Sequence, residues 1–147
     1  MRMSFLELME NRNAGFDLKE KNNAVEMGYV KQDKPFVVPT TDGKLIEEHF
    51  GMASTKETGM SIAHMIAPPG WSEPFQNPEF DEYTLVSRGK KLFEVDGERV
   101  EVSAGESILI KKGSRVRYSN PYAEACEYWS VCLPAFSMDT VHREQED

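Results

Sequence analysis

Histidine, cysteine and long apolar runs are all scarce in this chain. Three histidines in 147 residues, His49, His64 and His142, are a thin supply for an imidazole-rich metal centre. The two cysteines, Cys126 and Cys132, form no C-x-x-C pair and no zinc-type spacing with histidine. Six residues apart on one extended strand, they would stand ~20 Å from each other. That excludes a disulfide within the strand, and reduced core thiols are expected. No apolar run approaches the ~18–20 residues of a membrane span, and Met1-Arg2-Met3-Ser4 does not open a signal-peptide pattern. A soluble, cytoplasmic protein is expected, without a membrane partner. Basic residues are outnumbered, 17 against 25 acidic, for a formal charge of −8. This balance disfavours nucleic acid as a partner. The dense basic clusters, Arg88-Gly89-Lys90-Lys91 and Lys111-Lys112 with Arg115 and Arg117, read as solvated turn residues, with an anionic-ligand rim as the alternative reading.

What is present is a run of short β segments punctuated by turns. A chain of 147 residues suits one domain. Residues 1–34 read as a polar N-terminal arm, with a short helix over 4–11 suggested by the capping-box spacing of Ser4 and Glu7. Residues 35–137 form the β domain and 138–147 a polar, loosely held tail. Phe36–Val38, Leu45–His49, Met60–Ala67, Tyr83–Ser87, Leu92–Val95, Val100–Val102, Ser107–Ile110, Ser114–Ser119 and Glu127–Leu133 read as strands. Asp96-Gly97 is a strong hairpin pair. Many short strands without a long helix imply an all-β sandwich or barrel.

Gly70, Glu82, Gly89, Gly105, Gly113 and Asn120 stand in a fixed frame. Their spacing resembles the two motifs of the cupin superfamily (RmlC-like). The resemblance covers about residues 45–135 and implies a single double-stranded β-helix, or jelly-roll barrel. The frame is kept but the chemistry is not. The three histidines of the family motif fall on Gln76, Pro78 and Val116, and its proline on Lys111. Phe80-Asp81-Glu82-Tyr83, Val95-Asp96-Gly97-Glu98, Ala104-Gly105-Glu106, Lys112-Gly113-Ser114 and Cys132-Leu133-Pro134-Ala135 are further similar to the histidine-poor cupins of the ethanolamine-utilisation type. That type is associated with an acetate-kinase-like role. No phosphate-binding glycine loop in this chain supports such chemistry.

The resemblance turns Glu82, Thr84 and Val86 into the barrel. Glu82 is the one family ligand retained. It reads either as a metal ligand or acid–base group, or as a structural carboxylate. Gln76 reads as a hydrogen-bonding group for a ligand, with Trp71 and Phe75 on a loop at the barrel mouth and Thr84 on the inner face. His64 shares a face with Ile62 and Ile66. Core packing is its commoner use, and a base paired with Tyr118 as acid is the functional alternative. The favoured reading is a small-molecule-binding cupin with no cofactor and no three-histidine metal centre, forming a homodimer. The alternatives are a rearranged metal site around Glu82 and His64, a metal-free isomerase or epimerase using His64 and Tyr118, and an accessory subunit of an ethanolamine-utilisation-like set.

Overall fold

The computed structural model describes residues 28–145. The chain divides into two units, Met1–Lys34 and Pro35–Asp147. The helix expected over residues 4–11 lies outside the described residues. In the first unit, the Lys34 amide donates to the Gln32 side chain at 3.1 Å.

Ten strands build the second unit: β1 (Phe36–Val37), β2 (Leu45–Phe50), β3 (Ser61–Ala67), β4 (Trp71–Ser72), β5 (Asp81–Arg88), β6 (Lys90–Val95), β7 (Glu98–Ser103), β8 (Ser107–Ile110), β9 (Val116–Asn120) and β10 (Cys126–Leu133). A six-stranded sheet runs β1-β2-β3-β10-β5-β8, and a four-stranded sheet runs β4-β9-β6-β7. All the pairings are antiparallel. This is the expected jelly-roll barrel. The short β4 was not expected, because two residues cannot display an alternating pattern.

Strand alternation sets the two faces of each sheet. On β10, Cys126, Tyr128, Ser130 and Cys132 are buried while Glu127, Trp129 and Val131 are not. The core joins both sheets through Trp71, Val86, Phe93, Val116, Tyr118 and Tyr128, with Phe93 and Tyr118 meeting edge to face at 5.4 Å. The turns are set locally. Asp96 and Gly97 both have positive φ, 47° and 88°, the backbone a two-residue hairpin needs. Gly89 has φ 75°, and a Cβ there would lie 2.4 Å from the Ala125 carbonyl oxygen. Only glycine lets β5 turn into β6 so close to that backbone.

The polar tail is not loosely held over its described part. A short helix α1 (Met138–Val141) follows Ser137, whose side chain accepts from the Asp139 amide. Val141 buries itself beside Phe80 and Cys132, with Phe136 and Met138 packed against them. Beyond α1, the Glu144 amide donates to the Phe75 carbonyl at 2.7 Å.

The outer face of the larger sheet is conspicuously apolar. Tyr83, Leu85, Leu109 and Leu133 are 40%, 49%, 39% and 39% exposed. Trp129 lies between Leu85 and His64 on the neighbouring strands. No helix among the described residues is long and apolar enough to cross a membrane.

Candidate functional site

The inner faces of β3, β5, β6, β9 and β10 converge on a polar patch inside an otherwise apolar barrel. Glu82 on β5 accepts a hydrogen bond from Ser130 Oγ at 2.6 Å and one from Cys132 Sγ at 3.3 Å. The Tyr118 hydroxyl, on β9, faces the Glu82 carboxylate, which helps to hold its proton on. Tyr128 on β10 and Thr84 on β5 are fully buried, and neither hydroxyl has a hydrogen-bond partner among the described residues. A buried hydroxyl left unpaired costs about 1–3 kcal/mol. Gathered in one interior, such hydroxyls are able to exchange hydrogen bonds with a bound molecule.

Two lysines complete the patch. Lys91 on β6 shares the inner face with Phe93 and is 3% exposed. Its Nζ sits 3.6 Å from the Tyr128 ring centre, 4.5 Å from Tyr118 and 5.0 Å from Phe93. Lys44, just before β2, is 7% exposed and lies over Trp71 at 4.1 Å and Tyr128 at 5.5 Å. Among the described residues neither nitrogen forms a salt bridge or a side-chain hydrogen bond, so aromatic faces carry both cations. Burial, then the neighbouring Lys44, brings the Lys91 ammonium down to about 7, against the pull of Glu82, Glu73 and Cys126. Burial lowers Lys44 as well. Burial, then Glu82, holds the Tyr118 and Cys132 protons on well above their ordinary range. Tyr128 is raised too, by burial and then by Glu73 and Glu82.

Gln76 pairs with Val116 through reciprocal backbone hydrogen bonds of 2.9 Å, so their side chains share the inner side. The Gln76 amide oxygen is already taken by Arg143 Nε at 3.4 Å, and Arg143 also reaches Glu73 at 3.6 Å. The tail thus closes this end of the barrel with a polar latch.

Several expected site residues lie elsewhere. His64 is on the outer face of β3: its Nδ1 meets Glu47 at 2.9 Å, its Nε2 lies 3.7 Å from Glu127, and its ring packs on Trp129 at 5.0 Å. Ser61, Ala63 and Ala67 are the residues that β3 buries. His64 therefore lies across the sheet from Glu82 and Tyr118, and neither the His64–Tyr118 acid–base pair nor a metal site joining His64 to Glu82 is formed. Phe75 is packed against the Arg115 and Arg117 guanidinium groups, 3.8 Å and 4.7 Å from its ring centre, at the surface rather than in the interior. Trp71 is a core residue, its Nε1 donating to Asp42 at 2.8 Å, and it meets the site by carrying Lys44.

Lys44 and Lys91 were not among the expected residues. The alternation on β6 carries the signal: Lys91, Phe93 and Val95 fall on one side, and Phe93 is apolar. Its neighbour Lys90, paired with Glu101 at 3.2 Å, behaves as the sequence suggested.

The donor set does not fit the family's metal. Pro78 and Val116 offer no ligand atom, the Gln76 oxygen is held by Arg143, and Glu82 is engaged by Ser130 and Cys132. Among the described residues, no group of three or more His, Cys, Asp or Glu side chains is arranged to hold a metal ion.

A cupin domain profile matches residues 63–132, the stretch that carries the motif frame and most of the barrel. Residues 63–132 thus carry the signature of a cupin domain, and the barrel they build has the cupin fold. A Myxococcus xanthus protein named Endoribonuclease YbeY is 49% identical over 115 residues, covering 78% of this chain and 39% of that protein. The chain therefore spans about two fifths of the length of that relative. The expected likeness to the ethanolamine-utilisation cupins is found in the EutQ protein of Clostridium difficile, 21% identical over 71% of this chain and 77% of that one, with a TM-score of 0.54. The nucleoside dehydratase Pac13 of Streptomyces superposes with a TM-score of 0.64 at 15% identity, over 81% of this chain and 92% of that one. At these identities the two structures show that the fold is shared.

Proposed function

We propose that this cupin binds a small oxygen-rich anion inside its barrel without a metal. The observation that supports this reading is the pair of buried lysines, Lys44 and Lys91, on the inner face of a barrel whose metal positions hold Gln76, Pro78 and Val116. A carboxylate or phosphate gives both lysines a counter-charge, and its oxygens can accept from Tyr118, Tyr128 and Thr84. Thermal-shift titration with malonate, glyoxylate and phosphate at pH 7 tests it. At least one of these should raise the wild-type melting temperature by several degrees, and Lys44→Met should remove the shift. No response from any anion, or an equal response in Lys44→Met, contradicts the reading. A second copy covering the outer face of Tyr83, Leu85, Leu109 and Leu133 belongs to the same reading, and light scattering should return twice the chain mass.

A second reading is metal-free acid–base chemistry on the bound molecule, with Tyr118 as proton donor and Glu82 as acceptor. The facing of these two groups across the interior, one from each sheet, favours it, and Pac13 has the same fold. The endoribonuclease name belongs to a relative of which this chain spans 39%. A formal charge of −8 does not suit a surface that grips RNA.

A further inference from the structure

We infer that Lys91 is a carbonyl-trapping amine: its Nζ condenses with the aldehyde or ketone of a small 2-oxo acid held in the barrel, giving an imine and water. The inference rests on the anion-binding reading above and narrows its ligand class. Three features of the interior carry it. Lys91 is buried against the rings of Tyr128, Tyr118 and Phe93 and, among the described residues, forms no salt bridge. An amine so placed is a poor cation and a good nucleophile. Lys44 stands over the same Tyr128 ring, where it disfavours a second positive charge and offers one to the carboxylate of the ligand. Finally, a protonated phenol and a carboxylate, Tyr118 on β9 and Glu82 on β5, face each other across the interior from the two sheets. The titratable groups bearing on Lys91 are Lys44, Glu82, Glu73, Cys126, Tyr118 and Tyr128. The amine titrates at about 7, which leaves a large neutral fraction near neutrality.

The protons balance within the site. The Nζ lone pair forms the N–C bond as the carbonyl π pair moves to oxygen. That oxygen takes the Tyr118 proton, while the nitrogen gives one proton to Glu82. The carbinolamine hydroxyl then leaves as water with the proton returned from Glu82, as the nitrogen lone pair forms C=N. The remaining N–H proton restores the Tyr118 phenol. No oxidant or reductant is consumed.

The experiment is reductive trapping. Wild-type protein is incubated with glyoxylate and cyanoborohydride at pH 7.5, and the modified lysine is found by peptide mass mapping. An exposed lysine at its usual pKa has on the order of a thousandfold less free amine at this pH. Lys91 should therefore carry at least about ten times the adduct of any surface lysine even with restricted access. Malonate should compete, and Lys91→Met should lose the adduct while keeping its circular dichroism spectrum. An unmodified Lys91, or label spread evenly over surface lysines, overturns the inference. If malonate stabilises the protein but Lys91 is not labelled, the imine fails and the anion site stands. If neither anion binds and nothing is labelled, both fail.

Discussion

Lys91→Met should make the barrel more stable and flatten its pH dependence near neutrality. In the unfolded chain this lysine holds its proton up to about pH 10.5, whereas in the barrel it releases it at about 7. Between those values the unfolded state binds more protons, so the group makes stability rise with pH and costs most below pH 7. Below pH 7 that cost approaches the free energy of the whole shift, on the order of 3–5 kcal/mol. Contacts of the cation with the rings of Tyr128, Tyr118 and Phe93 are lost with the charge and offset about 1–2 kcal/mol of the gain. Methionine fills much the same volume. Lys44, Glu82, Glu73, Cys126, Tyr118 and Tyr128 all bear on this site. Tyr118, Tyr128 and Cys132 keep protons in the folded state that the unfolded chain gives up. These groups pull stability down as pH rises through their unfolded values, Cys132 from about 9 and the tyrosines from about 10, in wild type and variant alike. The informative window is pH 6–9. There the variant should melt about 5–10 °C higher at pH 6–7, with a shallower rise toward pH 9 than wild type. A variant that melts lower, or that keeps the wild-type slope, would show that Lys91 is paired and charged in the folded state.

Asn120→Ala should have the largest opposite effect. The Asn120 side chain is fully buried. Its amide donates to the carbonyls of Ala67, Pro68 and Glu124 at 3.1, 3.3 and 2.8 Å, and its oxygen accepts from the Tyr122 amide at 3.2 Å. One side chain thus ties the end of β9 to the end of β3 and to the start of β10. Alanine leaves those backbone groups buried without this partner, a loss of about 3–5 kcal/mol. Urea unfolding should show a lower midpoint with an unchanged slope. A loss under about 1 kcal/mol would mean that the loop relaxes and water takes over the bonds.

The frame residues were legible in the sequence because their work is local. Gly70, Gly89, Gly105 and Gly113 all have positive φ, and Asn120, besides its distant bonds to Ala67 and Pro68, accepts from the Tyr122 amide two residues on. Turn chemistry and spacing announce such positions without reference to the rest of the fold. His64 was harder to place. Alternation tells which residues share a face, but not which face is inside. On β3 the outer residues Ile62 and Ile66 are larger than the buried Ala63 and Ala67, because the outer sheet surface is itself apolar. Lys91 was hidden by the company of Lys90 and Gly89, which looks like a solvated turn. Only the phase of β6, with Phe93 inward, places it in the barrel. The tail misled for a related reason: one buried side chain, Val141, and a few backbone bonds anchor a segment whose composition is polar.

Elemental analysis of protein purified without a metal-affinity tag, before and after incubation with iron, manganese, nickel and zinc, tests the central claim most directly. The lysine-lined interior predicts no retained metal under any of these conditions, because the positions that would ligate it hold Gln76, Pro78 and Val116. Near-stoichiometric metal, lost on Glu82→Gln, would contradict that account and place a rearranged metal centre at Glu82.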